Sequence, residues 1–240
     1  MHEHNVFLTL TYNNDHLPPN QTLVKDHFQK FIRSLRRRTN EKIRFYMCGE
    51  YGDKTERPHY HSILFGYRFN DAYLWSTRRG NHVYRSKFLE SIWTHGNSEI
   101  GTVTFQSAAY VARYILKKQN GSKAIDHYGE LDTTTGEIVP TRLPEYTNMS
   151  LKPGIGKSWF DKYKTDVFPA DRIVLPDGRE MTAPKYYRDL LEREDPELAA
   201  SMRKIRVEKA QASPDNTQPR LQAREKCLQA KTSKLIREHE

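Results

Sequence analysis

The chain is poor in several things at once. Among 240 residues there are two cysteines, Cys48 and Cys227, far apart in the sequence and too few for a disulfide framework. No apolar run approaches the ~20 residues that a membrane-spanning helix needs, and hydrophobic residues make up only 36% of the chain. No internal repeat is present. No signal-peptide pattern is visible either: Met1-His2-Glu3-His4-Asn5 leads directly into a strand-like run. These absences exclude a disulfide scaffold and a helical membrane protein, and they create the expectation of a reducing, cytosolic compartment.

What is abundant is charge. Lys and Arg number 39 against 30 Asp and Glu, for a formal net charge of +9. Such a balance calls for an anionic partner, nucleic acid before a membrane surface. The excess is uneven. From Tyr186 onward there are twelve basic and ten acidic residues, so most of it belongs to residues 1–185.

Val6-Phe7-Leu8-Thr9-Leu10-Thr11-Tyr12 alternates apolar residues with Thr and reads as a strand. Thr22 reads as the N-cap of a helix to about Arg38, with Val24, Phe28, Phe31, Ile32 and Leu35 on one face. Its basic end, Arg36-Arg37-Arg38, suits either the helix dipole or phosphate contact. Arg44–Gly49 and His59–Phe65 read as two strands of a long-looped hairpin. The segments Phe69–Thr77 and Ser86–Trp93 read as helical, Gly101–Phe105 as a strand, and Ser107 as the cap of a helix to about Lys118. The order β-α-β-β-α-β implies an α+β fold, an antiparallel sheet of about five strands with helices on one face. From Lys123 to Pro144 the chain is polar and turn-rich. Gly154-Ile155-Gly156-Lys157-Ser158 superficially suggests a phosphate loop, but the first glycine of that pattern would fall on Leu151, which excludes it. From Tyr186 the dense mixed charge predicts solvated helix and linker.

Two clusters carry chemistry. In Arg57-Pro58-His59-Tyr60-His61, residues i and i+2 of a strand share a face about 6.6 Å apart, so both imidazoles can converge on one ion while Tyr60 points into the opposite layer. Hairpin pairing puts Glu50 opposite or next to His59. The three would form a two-histidine, one-carboxylate set that accepts Mg²⁺, Mn²⁺ or Zn²⁺ and leaves coordination positions open. Asp53 and Glu56 are rival carboxylates in the loop. The second cluster is Tyr110-Val111-Ala112-Arg113-Tyr114-Ile115-Leu116-Lys117-Lys118. Tyr110 and Tyr114 share a helical face that Lys117 and Lys118 extend, and a nearby cation favours a phenolate nucleophile. A metal site, two tyrosines and a basic surface together suit phosphodiester cleavage by tyrosine.

On these residues the chain resembles the HUH-type rolling-circle replication initiators, most closely those of small single-stranded DNA phages (microviruses of the gokushovirus type). Phe7-Leu8-Thr9-Leu10-Thr11 looks like their first motif. Gly49-Glu50-Tyr51-Gly52 through Arg57-Pro58-His59-Tyr60-His61 looks like the metal motif, and Tyr110-x3-Tyr114-x2-Lys117 like the two-tyrosine motif. The resemblance spans roughly residues 6 to 165. Pro153-Gly154-Ile155-Gly156 also looks like these initiators. Two departures stand out: no cysteine-containing segment ahead of the first strand, and no helicase domain.

The resemblance implies a ferredoxin/RRM-like HUH endonuclease domain over 1–165 and a charged extension, partly helical or disordered, over 166–240. It implies a metal-dependent enzyme that nicks plus-strand origin DNA through a 5′-phosphotyrosine and later rejoins it. Tyr110 and Tyr114 would be the nucleophiles, Lys117 would stabilise developing charge, and Glu50, His59 and His61 would hold Mg²⁺ or Mn²⁺. Arg36, Arg37, Arg38, Arg57, Arg113 and Lys118 would contact DNA. The partners would be single-stranded or extruded origin DNA, a host helicase and the replication machinery, in the cytoplasm of a bacterial host and away from membranes. Two other readings use the same residues. One is a relaxase or transposase of the same class. The other is a non-catalytic single-strand binding module that stacks bases on Tyr46, Tyr51 and Trp75.

Overall fold

The computed structural model describes residues 2–78, 80–113, 122–175 and 177–233. By contacts the chain divides into two units, residues 2–155 and the residues from 156 onward. The first unit contains β1 (Asn5–Thr11), α1 (Lys25–Thr39), β2 (Arg44–Tyr51), β3 (Pro58–Phe65), β4 (Tyr73–Arg78), β5 (Asn81–Arg85) and α2 (Lys87–Glu90). It continues with β6 (Ser98–Thr102), α3 (Phe105–Arg113), α4 (Ser122–Tyr128), β7 (Gly129–Leu131), β8 (Ile138–Pro140) and β9 (Tyr146–Met149). Seven strands form one sheet in the order β4-β5-β6-β1-β3-β2-β9, and β7 pairs with β8 separately. The described pairings are antiparallel. The fold class is therefore α+β, with two more strands in the main sheet than the sequence pattern predicts.

Strand alternation sorts the side chains. Val6, Leu8 and Leu10 of β1, Phe45 and Met47 of β2, and Tyr60 and Leu64 of β3 lie on one face, where α1 packs Phe28, Phe31, Ile32 and Leu35 against them. Each such side chain contributes about 1.5–3 kcal/mol on leaving water. The opposite face of the same strands carries Phe7, Tyr46, Cys48 and Ile63, and α3 buries Tyr110 and Val111 there. Helices thus cover both faces, where the sequence pattern predicts one. The α1 face is already filled by aromatic and aliphatic side chains, so the apolar side of α3 finds its cover on the other.

Three local expectations also change. Residues 73–78, expected as helix, form β4, which turns through Gly80 (φ +79°) into β5. Helix α1 begins at Lys25 without a side-chain cap, and Thr22 Oγ1 instead accepts the Leu143 N–H at 2.8 Å. Ser107 lies inside α3 rather than capping it. Thr104 Oγ1 accepts the Ser107 N–H (3.1 Å) and Ser107 Oγ accepts the Thr104 N–H (2.8 Å), a capping box with serine in the usual Glu/Gln position. The expectation at Ser86 is met on a shorter helix, with Ser86 Oγ accepting the Leu89 N–H at 3.0 Å ahead of α2.

The end of β1 is clamped by the loop before β6. Thr11 N–H donates to Asn97 O (2.9 Å) and Asn13 N–H to His95 O (3.0 Å). A Cβ on Gly96 would sit 2.4 Å from the Asn13 nitrogen, so only glycine permits this approach. From 156 onward come α5 (Lys157–Val167), the hairpin β10 (Arg172–Val174) and β11 (Glu180–Thr182), then α6 (Lys185–Glu194), α7 (Pro196–Ala212) and α8 (Gln218–Ser233). Phe160, Val167, Phe168, Leu190, Leu191 and Met202 make a small core of their own. Helix α5 runs through residue 165, where the sequence reading sets its boundary, whereas the contact division falls between Ile155 and Gly156.

Tyr60 ties the sheet to α1. Its buried hydroxyl donates to Val24 O (2.8 Å), accepts the Val24 N–H (3.0 Å) and lies 2.8 Å from the Tyr12 hydroxyl. Tyr60→Phe strands the Val24 amide and should cost about 1–3 kcal/mol. The check is a denaturant titration, in which an unchanged midpoint would contradict the role given to this hydroxyl.

Candidate metal centre

The β1–β3–β2 register assembles the centre. Glu50 pairs with His59, Cys48 with His61, and Thr9 with His61, so Glu50, His59, His61, Thr9 and Thr11 share the face that α3 partly covers. His59 Nε2 lies 2.9 Å and His61 Nε2 3.0 Å from the same Glu50 oxygen, Oε1. All three side chains are buried, Glu50 completely. Gly49 explains how the preceding position tolerates its neighbours. On the opposite face, a Cβ there would come within 2.9 Å of the Tyr146 ring and 3.3 Å of Tyr60.

The imidazoles are oriented from behind. His59 Nδ1 lies 3.1 Å from Arg57 O. A carbonyl oxygen only accepts, so the proton sits on Nδ1 and Nε2 faces Glu50. His61 Nδ1 meets Thr9 Oγ1 at 3.0 Å. Phe7 stacks on the His61 ring at 5.5 Å and Tyr110 meets it edge-on at 5.3 Å. Two Nε2 atoms crowd one carboxylate oxygen. Either protons on Nε2 bridge the group or a cation takes their place through the same lone pairs. Burial opposes the Glu50 charge, but the His59 and His61 hydrogen bonds outweigh it and hold the carboxyl down at about 2. Glu50 is therefore anionic throughout the ordinary pH range.

Glu50, His59 and His61 form the group of potential ligands found among the described residues, with donor atoms within 4.8 Å of one another. A set of two nitrogens and one oxygen fits a divalent cation and leaves positions for water or substrate. Of the rival carboxylates, Glu56 is paired with Arg142 at 2.6 Å, and Asp53 is an exposed loop residue.

The other expected site residues fall in several places. Tyr110 is buried beside His61, and Arg113 closes the described part of α3, half-buried. Tyr114, Lys117 and Lys118 lie outside the described residues. Arg57 stands at the metal end of β3 and holds the loop after β1, donating to Asn14 Oδ1 (2.9 Å) and Tyr12 O (3.1 Å). Arg36, Arg37 and Arg38 end α1, on the opposite face. Arg36 donates to Ile43 O and packs on Phe45, at the far end of β2, while Arg38 donates to Ser91 and packs on Phe88. Arg37 is exposed. Of the proposed stacking aromatics, Tyr51 is buried with its hydroxyl donating to Leu143 O, Tyr46 is half-buried, and Trp75 is 53% exposed. Thr9 escaped the sequence reading, although its parity in a strand alternating with Thr carried the signal.

These features define a class: an α+β protein whose antiparallel sheet buries a two-histidine, one-carboxylate centre at one end, with a tyrosine-bearing helix against it. Residues 5–119 match the family model for the replication-associated protein ORF2, and over that segment the chain belongs to this family of replication-associated proteins. It is 37% identical over 205 residues to replication-associated protein VP4 of Bdellovibrio phage phiMH2K, covering 82% of this chain and 61% of that one. It is 32% identical to replication-associated protein ORF2 of Spiroplasma virus 4 (80% and 59% covered). It is 34% identical to replication-associated protein ORF4 of Chlamydia phage 1 (79% and 46%). The matched region thus spans about three-fifths of the first two relatives and under half of the third. No solved structure is a significant match. Among the described residues, no helix is long and apolar enough to cross a membrane.

Proton competition gives a test of the centre. Glu50 stays ionised, so loss of metal affinity in mild acid should come from the imidazoles, and binding should release protons. Calorimetry with Mn²⁺ in buffers of different ionisation heat measures this, and a pH-independent affinity would contradict it. Thr9→Val should weaken Mn²⁺ binding by about 10- to 100-fold by releasing His61.

Proposed function

We propose that this protein is a metal-dependent DNA nicking and joining enzyme that starts and ends rolling-circle replication of a phage genome. The observation that carries the reading is the buried Glu50-His59-His61 group with the Tyr110 ring packed on His61. The family match and the relatives' description as replication-associated proteins support DNA as the partner. Catalysis is assigned to residues 1–165 and the remainder to a charged extension.

Glu50, His59 and His61 hold the cation, with Arg57 O and Thr9 Oγ1 fixing the two rings. A bound Mg²⁺ or Mn²⁺ ion polarises a phosphodiester oxygen. The hydroxyl of Tyr110 or Tyr114 gives up its proton and attacks phosphorus. The bond to the 3′ oxygen breaks, and that oxygen takes a proton to become a free 3′-OH primer. The phosphotyrosine conserves the phosphodiester energy, so a later attack by a 3′-OH closes the circle and returns the tyrosine. The second tyrosine cuts the regenerated origin while the first product is still held. Lys117 stabilises the charge on the phenolate or on phosphorus, and Arg57, Arg113 and Lys118 are candidates for backbone contact. Arg36 and Arg38 are less suited, being engaged in bonds at the far end of the sheet. A host helicase would unwind the duplex in the bacterial cytoplasm.

Incubation with Mn²⁺ and single-stranded origin DNA should produce a covalent adduct, which mass spectrometry would assign to Tyr110 or Tyr114. Tyr110→Phe or Tyr114→Phe alone should keep some single-round nicking, and the double variant should lose it. His59→Ala should abolish cleavage while DNA binding remains. An absence of adduct with every origin-derived substrate would sink the reading.

A further inference from the structure

We propose that the β4–β5 hairpin carries a single-stranded DNA stacking surface, with Trp75 and Tyr73 as base platforms and Arg85 as the adjoining phosphate contact. This rests on the reading of DNA as substrate, but not on the cleavage chemistry.

The hairpin forms one edge of the sheet and exposes large apolar side chains: Tyr73 at 41%, Leu74 at 55% and Trp75 at 53%. Their orientation follows from the register. Tyr84 pairs with Ile100 on the α1 face, so Arg85 turns to the opposite face, and Tyr73, which pairs with Arg85, turns there too. An irregularity between Leu74 and Ser76 leaves Trp75 out of the ladder. Such a bulge re-aims a side chain. Its ring lies under the Arg85 guanidinium at 4.5 Å and edge-on to Tyr73 at 6.5 Å. Trp75, Tyr73 and Arg85 therefore share the face of the metal centre.

The connection across that face is continuous. Arg78 pairs with Glu99 at 2.9 Å, Glu99 sits opposite Thr9, and Thr9 contacts His61. Four strand spacings separate β4 from β3, about 19 Å at ~4.8 Å each. That is on the order of six nucleotides at the ~3.4 Å spacing of a stacked strand. The charge is complementary to DNA, since residues 73–85 contain three arginines and no acidic residue. Among the described residues, Arg85 Nε has no hydrogen-bond partner, and the Glu90 carboxylate lies 3.9 Å away. Aromatic rings flanked by arginine are the common means of holding single strands without reading sequence. A second copy of the chain pairing with the β4 edge is the competing occupant.

The test is fluorescence anisotropy of a labelled oligothymidylate of about 12 nucleotides with the full chain in EDTA, so that cleavage plays no part. Trp75→Ala should raise Kd by about 5- to 100-fold, Trp75→Phe should recover most of it, and Arg85→Gln should reduce the salt dependence. The metal-site variant His59→Ala should bind like wild type. Binding unchanged within about twofold in both Trp75→Ala and Tyr73→Ala would overturn the proposal. So would wild-type self-association in sedimentation that Trp75→Ala abolishes while binding is unaffected. If no adduct ever forms but Trp75-dependent binding persists, the nicking reading fails and this surface stands.

Discussion

The register of β3 against β1 and β2 is the constraint on which the rest of the first unit depends. Side chains alternate, so one register sends His59 and His61 to one face and Tyr60 to the other. Tyr60 then ties the sheet to the start of α1 through Val24, while the histidines meet Glu50 across one strand and His61 meets Thr9 across the other. A slip of one residue would exchange these sets. The imidazoles would enter the layer packed by α1, and Tyr60 would lose its three polar partners. The α1 core therefore holds the metal centre in place without touching it.

Burying a carboxylate as fully as Glu50 is costly unless the charge is compensated. Two imidazoles supply that compensation, and their own orientation is fixed by a backbone carbonyl and a threonine. The arrangement is nonetheless crowded, with three electron-rich atoms around one point. Such crowding is unneeded for stability, because apolar residues of similar volume would pack at least as well. It suits a group whose purpose is to receive a cation. The sheet around it, stapled by the Gly96 loop and by Arg57, provides the rigid support such a site needs.

Much of this was legible in the sequence, and what was not has a common cause. Alternation in residues 6–12, the spacing of Phe28, Phe31, Ile32 and Leu35, and the His-x-His parity are local patterns, and they specify β1, α1 and the ligand face. The strand at 73–78 was misread because an edge strand with exposed Tyr73, Leu74 and Trp75 lacks the alternation that half-burial imposes. Strand β9 pairs with β2 from about a hundred residues away, a partnership that no local window contains. The Thr22 and Ser107 caps failed for a related reason. Each hydroxyl has a different partner available, Leu143 N–H for Thr22 and Thr104 N–H for Ser107, and geometry rather than residue type decides between them.

Net charge is the weakest guide of all to where a partner binds. The run Arg36-Arg37-Arg38 is the most conspicuous basic feature of the sequence, yet two of its three guanidiniums donate to the chain itself, on the face away from the metal centre. Arg57 contributes to the centre through its carbonyl as much as its charge, orienting His59 while its guanidinium holds the β1 loop. The arginine with an unbonded Nε is Arg85, which no charge cluster marks out and which an exposed tryptophan accompanies. A phosphate backbone gains from a guanidinium only as far as that group is not already bonded, so hydrogen-bond accounting locates a binding face that charge counting does not.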